Sequence, residues 1–526
     1  MDPNAPKACE LKVNPDGSAQ EVEDIGTAEA APLPTSAADL TQDERDFLLA
    51  RHGTLELDPM PTGRADDPYN WLQRKKVINI LLVSFHTFMT TFNAGAIMPA
   101  FSRIAADVGV TVPDASYLTS IQILVLGISP LLWRPLGDTY GRRPVFLASL
   151  VMSGVFNVGC ALSTSYAMLI IFRLLVAFFI APASAIGSGV VAETFFVRER
   201  PAYIGMWTVM VTLGVPIGSL IFGPVAYVAS WQVVFWCLAG VNAVQTVLYF
   251  FWGPETLFMR ETELATATMT TTSSAPAPAP VAAVSASTFR RKYLDFKRIN
   301  PAPMVRGDFI RPARLASRMT VLLPALSYSV IFLTGSILVT LEIPQLLEEK
   351  FGINTAQLGL QYIPVVVGSL MGEQLGGFVS SRWMAFRSRG MGPGRPAPPP
   401  VRLWMYYPGA LLTVAGCIIF LARAEFSTGY EVWPVVGSGI ASVGNQLVTT
   451  VMMTFAVECN QDVAASVGVF VNLLRQTIGF VGPFWFPYMF DGVGVALSSV
   501  VITAIIVVFS ILPAIGAQVV GNKRFS

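Results

Sequence analysis

RPLGDTYGRRPVFLASLVMSGVFNVGCALST, residues 134–164, carries the two signals that decide the fold. From 144 onward it runs without a charge for about 20 residues, the length a helix needs to cross a roughly 30 Å hydrocarbon core. Immediately before that run, Asp138, Gly141, Arg142 and Arg143 crowd into a tight basic turn. A charge-free apolar run bounded by cations reads as a membrane span whose basic edge stays on the cytoplasmic side.

The pattern recurs along the chain. Twelve runs fit, at about 77–100, 116–133, 144–164, 167–191, 203–228, 231–252, 320–341, 357–379, 403–423, 434–456, 464–489 and 494–517. We call them spans 1 to 12. In lipid each backbone amide must be satisfied within its own segment, so these runs are expected to be helices rather than strands. Composition agrees: of 526 residues, 53% are hydrophobic and 13% charged, against roughly 25% charged in a soluble domain. The 37 prolines and 43 glycines exclude a coiled coil. A formal charge of +1 provides no field for nucleic acid, and none is expected as a partner. The five cysteines have neither metal-ligand nor redox spacing, so no metal site, disulfide or cofactor is expected. The polar, acid-bearing start does not resemble a cleaved signal peptide.

Alternate loops hold 26 Lys and Arg on one side against 3 on the other. This asymmetry predicts both termini in the cytoplasm of a multi-pass cell-membrane protein. The expected organisation is a cytoplasmic, largely disordered tail at 1–75, a six-helix half at 76–252, a cytoplasmic linker at 253–318, a second six-helix half at 319–518 and a short cytoplasmic tail at 519–526. The linker follows from its run TATMTTTSSAPAPAPVAAVSAS, which cannot bury a core, and from the basic FRRKYLDFKR after it. The fold class is therefore an all-α membrane protein of twelve transmembrane helices in two pseudo-symmetric halves, the layout of a transporter that rocks about a central site.

The turn at 138–143 is the most specific motif, and the pairing of Asp138 with Arg142 and Arg143 across Gly141 predicts a gating latch. It resembles the loop after the second helix of the major facilitator superfamily. Asp67-Pro68-Tyr69-Asn70-Trp71, Pro254-Glu255-Thr256-Leu257, the stretch 342–377 and FVNLLRQTIGFVGPFWFP at 470–487 are similar to the fungal twelve-span drug:proton antiporter branch. The resemblance covers about 65–520. It implies proton-coupled efflux of a small amphipathic drug or secondary metabolite, with lipid, substrate and protons as partners and a monomer as the working unit. In span 5, Gly205, Gly214, Gly218 and Gly223 follow that branch's helix-packing signature, with Ser219 standing where the branch usually has proline. Arg173 matches its fourth-helix arginine, here followed by Val176-Ala177 rather than Gln-Gly.

Ionisable and polar groups inside spans are costly, so each marks a cavity or a partner. Glu373 in span 8 is the leading titratable coupling candidate, with Arg475 in span 11 as its expected charge balance and Arg382 as an alternative partner. His86 and Asn93 with Thr90 in span 1, Asn445 in span 10, and Asn472 and Gln476 in span 11 form polar helical stripes expected to face a substrate cavity. No nucleophile–base arrangement or ATP-binding loop is legible, so the chain is not expected to be an enzyme. Two other functions remain open at this point: uptake of a polyamine, sugar or organic acid by symport or uniport, and a nutrient sensor that does not transport.

Overall fold

The computed structural model describes residues 41–62, 64–258, 299–300, 306–389 and 397–525. Twelve helices long and apolar enough to cross a membrane account for most of these residues. Spans 1 to 6 occupy Gln73–Val108, Val112–Tyr140, Arg142–Ala161, Tyr166–Thr194, Arg200–Val228 and Trp231–Trp252. Spans 7 to 12 occupy Met319–Phe351, Thr355–Arg389, Pro399–Phe426, Trp433–Glu458, Ser466–Val493 and Val495–Phe525. The all-α, twelve-span reading therefore holds. Large apolar side chains such as Val155, Phe251, Leu411 and Leu497 stand exposed around the outside, the surface expected of a bundle solvated by lipid rather than water.

The spans are longer than their apolar runs because helices continue past the hydrocarbon. Span 7 shows this best: the run breaks at Glu342, but the helix goes on to Phe351 and ends on Gly352. Local chemistry sets the other ends. Thr111 and Asp114 form a capping box that starts span 2, and Asn354 with Gln357 does the same for span 8. Pro182 interrupts span 4 after Ile180, because it has no amide hydrogen to continue the ladder. Span 7 also contains a π-helical turn at Leu333–Leu338, and span 12 one at Val507–Ile511.

The tail departs from expectation. Residues 1–40 and 63 lie outside the described residues, but 41–62 and 64–75 are folded rather than structureless. Gln42–His52 is a capped helix, and the segment after it straps the loop between spans 4 and 5. Tyr69 stacks on Phe196 at 5.4 Å, and the His52 ring meets the same phenylalanine edge-on at 5.3 Å. The Tyr69 hydroxyl donates to the Ala192 carbonyl at 2.6 Å and accepts from Arg200 at 3.0 Å. Asp67 accepts from the Tyr69 amide and from Thr62, so the DPYNW segment is a folded clasp. Of the linker, 259–298 and 301–305 lie outside the described residues.

With twelve spans, the start of span 1 and the end of span 12 fall at one end of the bundle, called here the terminal end; the other is the distal end. Within the first half, spans 1 and 5 cross at very close range. A β-carbon at Gly214 or Gly218 would stand 2.6 Å from the Phe88 or Phe92 carbonyl oxygen of span 1. Thr91 and Ser219 use this proximity to donate to the Val211 and Gly95 carbonyls at 2.8 and 2.9 Å. Small residues at such a crossing let backbones touch, the main source of helix association in lipid. Gly205 does not share this role, because nothing lies within 4 Å of where its β-carbon would be.

Candidate functional site

The two halves meet along a seam that carries polar groups on both sides of the bundle. On one side span 8 brings Glu373, span 10 brings Asn445 and Gln446, and span 5 of the first half brings Thr212. Gln446 donates to Thr212 Oγ1 at 2.9 Å and approaches Glu373 Oε2 at 3.3 Å. Asn445 donates to Gln446 Oε1 at 3.0 Å, orienting that amide. Gly368 and Gly372 make the contact possible, since a β-carbon at Gly372 would lie 2.7 Å from the Val443 carbonyl oxygen of span 10. A carboxyl group on the second half is thus joined through one amide to a hydroxyl on the first.

Across the bundle, spans 2, 7 and 11 form the second polar patch. Arg475 donates to the Tyr328 hydroxyl and to Asn472 Oδ1, both at 2.9 Å, and its guanidinium lies 4.5 Å from the Phe332 ring centre. Asn472 in turn donates to the Leu126 carbonyl of span 2 at 3.2 Å. Gln476 lies against Gly127 of the same span. Arg475 therefore does not balance Glu373, because tyrosine, asparagine and an aromatic face hold it on the other side of the seam. Arg382 does not hold Glu373 either; it stacks on Phe378 at 4.6 Å.

The remaining polar candidates lie inside the first half. Arg173 is fully buried and donates to the Asn93 carbonyl at 3.1 Å. It also faces the Phe235 ring at 5.7 Å, while its Nε and Nη2 have no partner among the described residues. Asn93 donates back to the Met89 carbonyl at 3.0 Å, leaving Oδ1 unpartnered. His86 is equally buried, with Nε2 3.0 Å from Ser149 Oγ. The three cationic or acidic candidates Arg173, Glu373 and Arg475 all turn inward or to the seam, and they have no partner in common.

The turn at 138–143 holds a polar network larger than its sequence motif. Arg142 pairs with Asp138 at 2.6 Å and with Glu193 of span 4 at 2.7 Å. Glu255, just after span 6, accepts from the Arg142 and Arg143 amides at 2.8 and 2.9 Å. Gly141 is required here: its φ of 100° suits glycine, and a β-carbon would strike the Glu255 carboxylate. Burial raises the Glu255 carboxyl above the ordinary carboxylate range, while the Leu257, Arg142 and Arg143 amides oppose the shift. Arg143 reaches the Phe250 carbonyl at 2.8 Å. Through these contacts the network joins spans 2, 3 and 4 to the end of span 6 and the start of the segment that follows it.

The second half repeats the arrangement. Arg402, at the start of span 9, pairs with Glu458 at the end of span 10 at 2.6 Å and donates to Ser380 of span 8 at 2.6 Å. Serine occupies the place of Asp138, so one ion pair becomes a neutral hydrogen bond. Glu193, Arg402 and Glu458 were missed in the sequence because none falls inside the loop motif, although each is an acid or cation at a span end; Glu255 was noted within Pro254-Glu255-Thr256-Leu257 but not as a partner of that motif.

At the distal end the halves touch directly. A β-carbon at Gly223 of span 5 would lie 2.6 Å from Gly359 Cα of span 8. Tyr362 is fully buried, donates to the Thr340 carbonyl at 2.7 Å and lies 3.8 Å from Met98 Sδ of span 1. Tyr117 of span 2 stacks on Phe484 of span 11 at 4.4 Å, and Ser102 hydrogen-bonds Glu348 across the same end.

Comparison with known proteins agrees with this architecture. The family model described as Major Facilitator Superfamily matches residues 83–483. The efflux pump radE of Floropilus chiversii is 24% identical over 87% of this chain and 84% of its own length. The MFS-type transporter tndD of Aspergillus flavipes is 26% identical, with 85% and 81% covered. The probable efflux pump mfs2 of Aspergillus flavus is 21% identical, with 80% and 95% covered. The chain belongs to the major facilitator superfamily and is a multi-pass membrane transporter, not an enzyme.

Proposed function

We propose that this transporter exports a small amphipathic organic compound, a drug or secondary metabolite, in exchange for protons, by alternating exposure of a site between its two halves. Relatives named as efflux pumps support the direction. The observation that carries the coupling is the bridge from Glu373 through Gln446 to Thr212. It is a carboxyl group on the seam, with no cation paired to it among the described residues, linked to the opposite half by an amide. A charged carboxylate in that place costs several kcal/mol and a proton removes the cost, so gain or loss of the proton changes how firmly the halves hold together.

The compound enters between the halves, where the Arg475 patch and the aromatic pair Tyr117–Phe484 offer polar and flat apolar contacts. The basic loops support a reading in which the terminal end faces the cytoplasm and the protein sits in the plasma membrane, and one chain contains both halves, so a monomer suffices. The test is an accumulation assay in overexpressing and deletion cells, with and without a protonophore, across a panel of labelled amphipathic compounds. Lower accumulation on overexpression, abolished by the protonophore, is the expected result. Raised accumulation would replace export by uptake.

A further inference from the structure

Span 7 carries a buried acid that none of the preceding chemistry uses. Glu342 is 1% exposed, and no hydrogen bond or ion pair reaches its carboxyl group among the described residues. It lies on an irregular stretch of helix, between the π-helical turn at Leu333–Leu338 and Pro344. Proline has no amide hydrogen, so Pro344 frees the carbonyl four residues earlier, that of Thr340. The Tyr362 hydroxyl takes that carbonyl at 2.7 Å while touching Met98 of the other half. Glu342 stands between the freed carbonyl and the proline that frees it.

We propose that Glu342 is a proton-operated gate for the distal end, a second coupling residue besides Glu373; the proposal rests on the proton-exchange reading above. Closure buries Glu342 with its proton, leaving Tyr362 docked on Thr340. Without the proton, a carboxylate would be sealed beside a phenol with no cation, and the structure would relieve that by parting Tyr362 from span 1 and wetting the seam. The proton enters from the distal side while that seam is open and leaves to the terminal side once the halves part there, and its loss reopens the distal seam. Bending at Pro344 and the π turn gives span 7 the freedom to do this.

Neighbouring titratable groups are already engaged. Glu348 lies about 9 Å further along the helix and is hydrogen-bonded to Ser102. Lys350 caps the Ala424 and Glu425 carbonyls. From span 2, Asp114 is held in its capping box and Tyr117 is stacked on Phe484. From span 9, Cys417 donates to the Thr334 carbonyl and Arg423 pairs with Glu431. The span 5 and span 8 residues at this end, Ser219, Gly223 and Gly359, bring no charge.

The test uses spin labels at Ser230→Cys and Thr428→Cys, exposed positions on distal loops of opposite halves, in full-length protein with Cys9 and Cys237 replaced by serine and reconstituted in lipid. Distances between the labels are measured from acid to alkaline pH without substrate. In otherwise wild-type protein the open distance is expected to gain severalfold in population at alkaline pH. In Glu342→Gln the closed distance should persist throughout, and in Glu342→Asp the pH response should remain. A Glu342→Gln protein that opens with pH as the parent does, or a parent that never responds, overturns the gate. Gradient-driven flux in the parent is scored separately, so a failed gate with intact flux leaves the exporter reading standing.

Discussion

Arg402 stands to Glu458 as Arg142 stands to Glu193: each arginine opens the third helix of its half and grips the acid that closes the fourth. The halves differ at the third corner, where Asp138 meets Arg142 and Ser380 meets Arg402. Removing one partner of a largely buried pair typically costs about 3–5 kcal/mol, because the other charge stays behind. Glu193→Gln is accordingly expected to lower the melting temperature of the purified protein more than Asp138→Asn, whose carboxylate is nearly half exposed. Thermal unfolding in detergent measures the order, and equal shifts would argue that Glu193 contributes no more than a surface charge.

Ser380→Asp would give the second half the acid it lacks. The new carboxylate should pair with Arg402, raise the melting temperature by a few degrees and slow turnover by stiffening that half. A variant that is more stable but transports at the parental rate would show that the latch strength of this half does not limit switching.

Glu373→Gln is expected to abolish the response of transport to an imposed pH gradient while leaving membrane expression and substrate exchange at equal pH intact. The glutamine retains the hydrogen bond to Gln446 but cannot release a proton. Flux in proteoliposomes, with and without a gradient, reads the difference; an undiminished gradient response would remove Glu373 from coupling.

At the distal end, Gly223→Leu should prevent closure, since even a β-carbon there meets Gly359 and the Thr355 carbonyl. Cysteine placed at Met98 should then react faster with a water-soluble maleimide. Gly205→Ala, with open space around it, should behave as the parent. Equal labelling of all three proteins would mean that the glycine contact does not hold this end shut.

Tyr69→Phe removes one hydroxyl that donates to Ala192 and accepts from Arg200, at about 1–2 kcal/mol. Limited proteolysis should cut between residues 41 and 72 sooner in this variant, with the spans surviving. Cleavage at the parental rate would leave ring stacking on Phe196 as the whole of the clasp.

The bundle was legible because lipid imposes one rule on every span: about 20 mostly apolar residues with few charges. The same rule hid Glu342. A run that stops at the first carboxylate ends at 341, although the helix continues for ten residues past that point. Partner choice was less legible than residue choice. Arg475 and Glu373 are both rare charges in spans, and charge alone suggested a pair, but the spans that carry them face different neighbours across the bundle. As partners of Arg142, Glu193 and Glu255 were invisible for a similar reason, because the chain returns them to it only after folding. His86 and Asn93 lie on a polar stripe as expected, yet that stripe is enclosed by spans of its own half, which helical spacing by itself does not reveal.

The meeting of Gly223 with Gly359 has a mechanical consequence. Two bare backbones pressed together have no interlocked side chains to unthread, so parting them sacrifices little apolar cover and meets no rotamer barrier. Such a contact separates like two smooth plates, and the work of deciding when it does so falls on the groups seated beside it.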